Sequence, residues 1–313
     1  AAAEMRHRVA EVIGNRARPM WVSTFHSACV RILRSELHRF GYARQFSIYD
    51  GTDAKRLMQL VCTELGVDTK KHPVRSVLHW VSNCKNELID HEAAREHTKP
   101  GEEVFAEAYA LYQRRLRAAN AVDFDDLIML TVHLLQAFPE VREHYRRRFR
   151  HVLVDEYQDT NHAQYVLIRE LCGMDPEPAA GAEGIDPPEL MVVGDSDQSI
   201  YAFRGATIRN ILDFATDFPG ARTIVLEQNY RSTQTVLSAA NAVIAHNDGR
   251  PAKNLWSAAG EGDKIVGYVA DSEHDEAQFV AEEIQQLAAR GLSAFSDTAV
   301  FYRTNAQSRA FEE

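Results

Sequence analysis

Apolar positions along this chain alternate between two textures, stripes spaced three and four apart and short unbroken runs. Ala1, Met5, Val9 and Val12 share one face of a helix over residues 1–13. Met20 to Ser23 predicts a strand, and Thr24 caps a helix over 26–40 that Gly41 stops. From about residue 50 to 120 the pattern is helix after helix. One is opened by Thr52/Asp53 and closed by Gly66, one follows Pro73, and one covers 102–119. Strands and helices then alternate: helix 124–137, strand 151–154, helix 161–172, strand 190–193, strand 222–226 and helix 233–246. Strand 264–270, helix 273–290 and strand 297–302 follow, and a last helix is under way at Glu313. Such alternation predicts an α/β fold with a parallel sheet, interrupted by an all-helical insertion. The expected division is 1–48 and 122–222 as two parts of one core, 49–121 as the insertion, and 223–313 as the start of a second α/β domain. The first helix has no N-cap or starting Met and the last has no end, so both termini are expected to belong to something longer.

Composition narrows the class. A chain of 313 residues with 45% hydrophobic content is an ordinary globular chain of two or three domains. No stretch approaches the roughly 18 apolar residues of a membrane span, and no secretory leader is visible. The four cysteines are scattered without a C-x-x-C pair, which argues against zinc or a disulfide framework and suits a cytoplasmic protein. A net charge of −10 excludes a surface coated for non-specific DNA binding, though not a local basic groove. Residues 1–48 carry eight Arg against three Glu, and Arg142 to Arg150 is a second basic cluster; a solvated helix face explains either one alone. Segment 173–189 holds four Pro, five acids and no Lys or Arg, the composition of a surface loop.

The chemistry gathers where apolar runs end. Val152-Leu153-Val154 gives way to Asp155 and Glu156. In open α/β sheets ligands bind beyond the carboxyl ends of strands. An Asp there suits Mg²⁺, and a neighbouring Glu can activate a water. The plainer reading is an acidic turn capped by Asp159 or Thr160. A second run ends in Gly194-Asp195-Ser196-Asp197-Gln198, followed by Tyr201, Phe203 and Arg204. Gln198 can bridge a phosphate and a water, and the rings offer stacking faces for bases. A third ends in Glu227-Gln228-Asn229-Tyr230-Arg231-Ser232, where Arg231 could stabilise a transferring phosphate and Tyr230 could stack on a purine. Thr24-Phe25-His26 and Phe124 suit contacts to a single strand, or else a helix cap and core packing.

TFHSACVRILR, DFDDLI, VDEYQDT, VGDSDQSIYAFRGA, LEQNYRS and YRTNAQSR occur here in the order seen in the UvrD/PcrA/Rep group of superfamily 1 DNA helicases, and the resemblance covers nearly all of the chain. It implies a RecA-like motor core with an all-helical insertion and the start of a second RecA-like domain. It also implies an ATP-dependent motor moving 3′ to 5′ along single-stranded DNA and opening duplexes, in repair or replication. Asp155 would hold Mg²⁺ together with Glu156, which activates water. Gln198 would sense the γ-phosphate, Arg231 would be the arginine finger and Tyr230 would stack on adenine. Thr24, His26, Phe124, Tyr201, Phe203, Arg204, Arg303 and Asn305 would lie on the DNA path. ATP and Mg²⁺ would be the cofactors. Single-stranded DNA, single/double-strand junctions and a repair or loading protein would be the partners, with no membrane.

Four departures stand out. The family's Gly-Lys-Thr phosphate loop should precede Ala1, and none of the 16 glycines here is followed by Lys. The late motifs of the second core should follow Glu313. The family usually has Trp where Phe203 stands, and loop 173–189 is longer than usual. The isolated chain is therefore expected to hydrolyse ATP poorly or not at all. Two other readings remain open. A non-catalytic module binding single-stranded DNA or a protein would have no need of Asp155, Glu156, Gln198 and Arg231 together. A metal-dependent nuclease built on Asp155, Glu156 and Asp159 would need carboxylates from separate elements.

Overall fold

The computed structural model describes residues 2–173, 186–202, 205–247 and 253–313. The chain forms two compact units, one ending at Thr223 and the other beginning at Ile224.

In the first unit, α1 (Ala2–Ile13) buries no residue. Helix α2 (Phe25–Glu36) starts at Thr24, whose hydroxyl accepts the Ser27 N–H, and the following turn ends at Gly41 with φ 78°. Strands β1 (Ser47–Tyr49) and β2 (Ala121–Asp123) pair in parallel, Ser47 opposite Ala121 and Tyr49 opposite Asp123. Between them run α3 (Gly51–Glu64), α4 (Val74–Asn86) and α5 (Glu103–Ala118). Then come α6 (Phe124–Ala137), α7 (Pro139–Arg148), β3 (His151–Val154), α8 (His162–Cys172) and β4 (Glu189–Val192). The short turns α9 (Arg209–Leu212) and α10 (Phe214–Asp217) follow. Strands β3 and β4 are parallel, with Val154 opposite Val192.

Two cores meet at the β1–β2 ladder. Helices α3, α4 and α5 bury Met58, Val77, Val81, Tyr109, Tyr112 and Leu116 among themselves. Helices α2, α6, α7 and α8 bury Leu33, Leu127, Leu135, Tyr145 and Leu167. Successive strand residues point to opposite faces, so Ala121 packs into the first core and Val122 into the second. A small third cluster, Val154, Tyr157, Ile168 and Cys172, seats β3 against α8. All four cysteines are buried and unbridged.

The cores are joined by a buried charge cluster. Lys85 on α4 places Nζ 2.7 Å from Asp123 Oδ2 and 2.8 Å from Asp126 Oδ1. The Tyr112 hydroxyl donates to Asp123 at 3.0 Å, and Gln113 donates to Asp126 at 3.1 Å. Burial alone would lower the Lys85 pKa, but the two carboxylates outweigh it and hold it well above its usual value. One cation serves three carboxyls. Asp123 falls below its usual value, because Lys85 overcomes the effect of burial. Burial and the Asp123 charge push Asp125 and Asp126 up to about 6. Lys85 continues the apolar face of α4 at Val74, Val77 and Val81, and it was not singled out from the sequence.

The second unit holds β5 (Gln228–Asn229), α11 (Gln234–Ile244), β6 (Trp256–Ser257), α12 (Glu273–Ala289) and α13 (Asn305–Glu312), with β5 and β6 parallel. The Tyr268 ring stacks on Phe279 of α12 at 4.0 Å, and its hydroxyl donates to Asp275.

Several expected elements differ. Residues 20–23, 222–226, 264–270 and 297–302 were expected as strands and lie outside any ladder among the described residues. A strand needs a neighbour to take its backbone groups as well as an apolar run. The Val22 carbonyl instead accepts from the Arg6 guanidinium at 2.9 Å. In the second unit the apolar side chains of these runs are open, with Val269 96% and Phe301 93% exposed. Conversely, β1 and β2 are three-residue strands too short to show a period, and α7 lies within the basic cluster. That cluster is only partly a solvated face, since Arg142 pairs with Glu170 at 3.1 Å and Arg146 donates to the Glu170 carbonyl. Most of loop 173–189 lies outside the described residues.

Removing one partner from a buried ion cluster leaves the others uncompensated. Lys85→Met is therefore expected to lower stability by about 3–5 kcal/mol in urea unfolding. A loss below about 1 kcal/mol, the range of an exposed pair, would contradict the cluster's role.

Candidate functional site

The β3–β4 ladder sets two loops side by side. Val193 N–H donates to the Val154 carbonyl at 2.8 Å, and Tyr157 N–H donates back to the Val193 carbonyl at 3.0 Å. The turn carrying Asp155 and Glu156 is thereby fastened to the exit of β4. Both carboxylates are exposed. Glu156 has φ 50°, a left-handed backbone uncommon outside glycine and a frequent mark of functional sites. The Asp155 Oδ1 accepts the Glu156 N–H at 3.0 Å, which sets the direction of the carboxylate.

Gln158 lies beneath this turn, 1% exposed. Its Nε2 donates to Glu156 Oε2 at 2.8 Å, and its Oε1 accepts the Asp195 N–H at 3.0 Å. Asp195 Oδ2 in turn accepts from Gln198 Nε2 at 2.7 Å. Gly194 makes room, since a Cβ there would lie 2.7 Å from Gln158 Oε1 and 2.9 Å from Ile211 Cδ1. The structure thus places Asp155, Glu156 and Gln198 in one hydrogen-bonded region. Gln158 was not singled out from the sequence, because one amide between acids carries no period. A glycine directly after the strand was the available signal of close approach.

The residues present suit magnesium. Among the described residues no three His, Cys, Asp or Glu side chains converge as a metal cluster. Mg²⁺ does not require one, since it takes one or two carboxylates and completes its shell with water and substrate phosphates.

A cleft of about 520 Å³ lies between α4 and the core. Helix α4 lines it with His79, Ser82, Asn83 and Asn86, and α6 with Asp125 and Ile128. His26, Asp159, Asn161, Gln164 and Tyr201 complete the wall. His26 and Tyr201 therefore share a cavity. Phe124 is 49% exposed beside it, edge-on to His26 at 5.9 Å. Burial lowers the His26 pKa. Asp159 is raised by burial and then by the Glu156 charge, so the cleft and the carboxylate turn adjoin. Thr24 is not among the lining residues; its hydroxyl accepts from Ser27 N and donates to Ser27 Oγ at 3.1 Å, the capping role. Phe203 and Arg204 lie outside the described residues.

In the second unit Tyr230 is 84% exposed and its hydroxyl donates to Gln228. Asn229 Oδ1 accepts the N–H groups of Arg231 and Ser232 at 2.9 and 2.8 Å, a side-chain turn that leaves Arg231 exposed and Ser232 half-buried. The start of α11 is held by backbone bonds from Gln234 and Thr235 to the carbonyls of Gly260 and Glu261, with no side-chain bond from Thr233 at the cap. Arg303 and Asn305 are exposed at the start of α13, where Gln307 Oε1 accepts the Arg303 and Thr304 N–H groups.

Comparison with known proteins agrees with this arrangement of motifs. Residues 1–219 match the UvrD/REP helicase N-terminal domain and residues 224–313 the UvrD-like helicase C-terminal domain. The chain is 61% identical over 318 aligned residues to ATP-dependent DNA helicase UvrD1 of Mycobacterium tuberculosis strain H37Rv, covering 100% of this chain and 41% of that protein. It is 48% identical over 317 residues to ATP-dependent DNA helicase PcrA of Bacillus subtilis strain 168, again 100% and 41%. The chain thus spans about two fifths of the length of these relatives. Matches of this extent over both units show that the chain belongs to the UvrD/REP family of DNA helicases.

Proposed function

We propose that this chain is the nucleotide-hydrolysing and strand-gripping part of an ATP-dependent 3′–5′ DNA helicase and single-stranded DNA translocase acting in repair or replication in the cytoplasm. The observation that carries the reading is the joining of the Asp155–Glu156 turn to the Gln198 loop across the β3–β4 strand ends. Asp155, with Glu156, would hold Mg²⁺, which when bound neutralises charge between phosphate oxygens. Glu156 would orient and deprotonate the attacking water, and Gln198 would contact the γ-phosphate. Tyr230 and Arg231 would serve adenine and the transferring phosphate from the second unit. The division into core, insertion over 49–121 and second core from about 223 belongs to the same reading.

His26, Phe124 and Tyr201 would contact bases of single-stranded DNA in or beside the α4 cleft, with Phe203 and Arg204 following in sequence. Thr24 would fix the turn before His26, and Arg303 and Asn305 would extend the path in the second unit. Strand junctions and a repair or loading protein would be the partners. Among the described residues no helix is long and apolar enough to cross a membrane.

ATP hydrolysis tests the reading. The isolated chain, which has no Gly-Lys sequence, is expected to turn over near background. Joined to a Gly-Lys-Thr loop and the late motifs, it is expected to be stimulated by single-stranded DNA and to lose about 10²–10⁴-fold in rate in Glu156→Gln. Turnover by the isolated chain that vanishes in Glu156→Gln would contradict the expected dependence on the loop. On a single strand the complete motor is expected to displace a block from the 5′ end and not the 3′ end; the reverse would overturn the direction.

A pH dependence follows from the cleft. Asp125 titrates near 6, so acidification through that value removes a negative charge from the cleft wall. The protonated form suits a polyanion, so single-stranded DNA affinity is expected to rise as pH falls from 7 to 5. Asp125→Asn is expected to bind more tightly at pH 7 with a flatter profile. Equal slopes in the two proteins, read by fluorescence anisotropy, would contradict this role of Asp125.

A further inference from the structure

Glu156 is exposed on a left-handed turn, and a glutamate there has three side-chain torsions to fix before it can address a water in one direction. Among the described residues its carboxylate accepts from the Gln158 side-chain amide at 2.8 Å. We propose that Gln158 is a positioning residue for hydrolysis. Its buried amide ties the Glu156 carboxylate to the backbone of the Gln198 loop, so the two groups keep one register. This deepens the reading of Glu156 as the water-activating group and rests on it.

Four observations support the assignment. Gln158 is buried, so its amide is held by packing rather than by solvent. Both ends of the amide are used, Nε2 toward Glu156 at 2.8 Å and Oε1 toward the Asp195 N–H at 3.0 Å. The backbone carbonyl of Gln158 accepts from the Ser199 hydroxyl at 3.4 Å, a second tie to the same loop. Gly194 leaves the space the amide occupies.

The chemistry specifies glutamine. A neutral amide donates to a carboxylate and accepts from a backbone N–H at once. A glutamate would keep the acceptor but set a second carboxylate against Glu156. A methionine would keep the volume and lose both bonds. Movement of the Gln198 loop on ligand contact would pass through Asp195 to Oε1, and through Nε2 to Glu156. The catalytic group would then be aligned when Gln198 is engaged.

The test uses Gln158→Glu, Gln158→Met and Gly194→Ala, with Glu156→Gln as control. In the complete motor, phosphate loop included, all three are expected to lower kcat by about 10- to 100-fold with KM for ATP changed by less than about threefold. In the purified chain, Asp195 amide exchange followed by NMR is expected to speed up in Gln158→Met and Gly194→Ala. It should stay slow in Gln158→Glu, which keeps the acceptor. Normal kcat in the Gln158 variants, with Glu156→Gln inactive, would overturn the positioning role and leave the Glu156 reading intact. Turnover surviving in Glu156→Gln would instead overturn the reading beneath it. A rise in KM matching the fall in kcat would mark Gln158 as merely structural and also overturn the proposal. Should the variants not fold, the wild-type chain decides. The Gln158 side-chain NH₂ is expected to exchange more slowly than that of exposed Gln59 and to speed up in Glu156→Ala; equal exchange would overturn it.

Discussion

The joining of the Asp155–Glu156 turn to the Gln198 loop depends on two parallel strands ending at the same level. Val154 and Val192 stand opposite each other, and the ladder continues one step beyond through Val193. Because the strands are parallel, both chains leave from the same edge. The acidic turn after β3 and the Gly194–Gln198 loop after β4 have no other place to go. A buried amide between them then costs little to hold, since both its hydrogen-bonding ends are satisfied. The left-handed backbone at Glu156 is supported by the same contacts. Site geometry here is a consequence of strand register more than of any one side chain.

A second constraint acts where the two helical cores meet. Lys85 belongs to α4, and its carboxylate partners belong to the β2–α6 corner. That corner carries Asp125, which lines the cleft, and Phe124, which packs edge-on to His26 beside it. Buried ion clusters are weak sources of net stability but strong sources of specificity in some proteins. In this chain the cluster fixes where α4 sits relative to α6, and so fixes the two walls of the cleft. The Asp155–Glu156 turn adjoins the cleft through Asp159, whose carboxyl senses the Glu156 charge and also lines the wall. The carboxylate turn and the cleft are thus neighbours within one unit.

Helices were legible because their signals are local. Gly41 and Gly66 close their turns as expected, whereas α8 is capped by Asn161 rather than by the expected Asp159 or Thr160, because Asn161 Oδ1 takes the Gln164 N–H. The apolar runs before Asp155 and Gly194 were legible as strands, and the motif order was specific enough to name a family. What was not legible depends on partners distant in sequence. Runs such as 264–270 carry strand-like side chains without a ladder, while β1 and β2 form a ladder without a readable run. Gln158 and Lys85 were missed for the same reason. A glutamine's role is set by what lies across the sheet, and a lysine on an apolar stripe declares only that carboxylates must be near.

The ends of β3 and β4 are proposed to form one magnesium–nucleotide site. Paramagnetic broadening tests it most directly, since weak binding suffices. Mn²⁺ with a non-hydrolysable ATP analogue would be titrated into ¹⁵N-labelled chain. The account predicts that the amides of Asp155, Glu156 and Gln198 broaden first and together. Broadening that begins at other acidic positions, such as Asp50 and Asp53 or Asp213 and Asp217, while these three stay sharp, would contradict it.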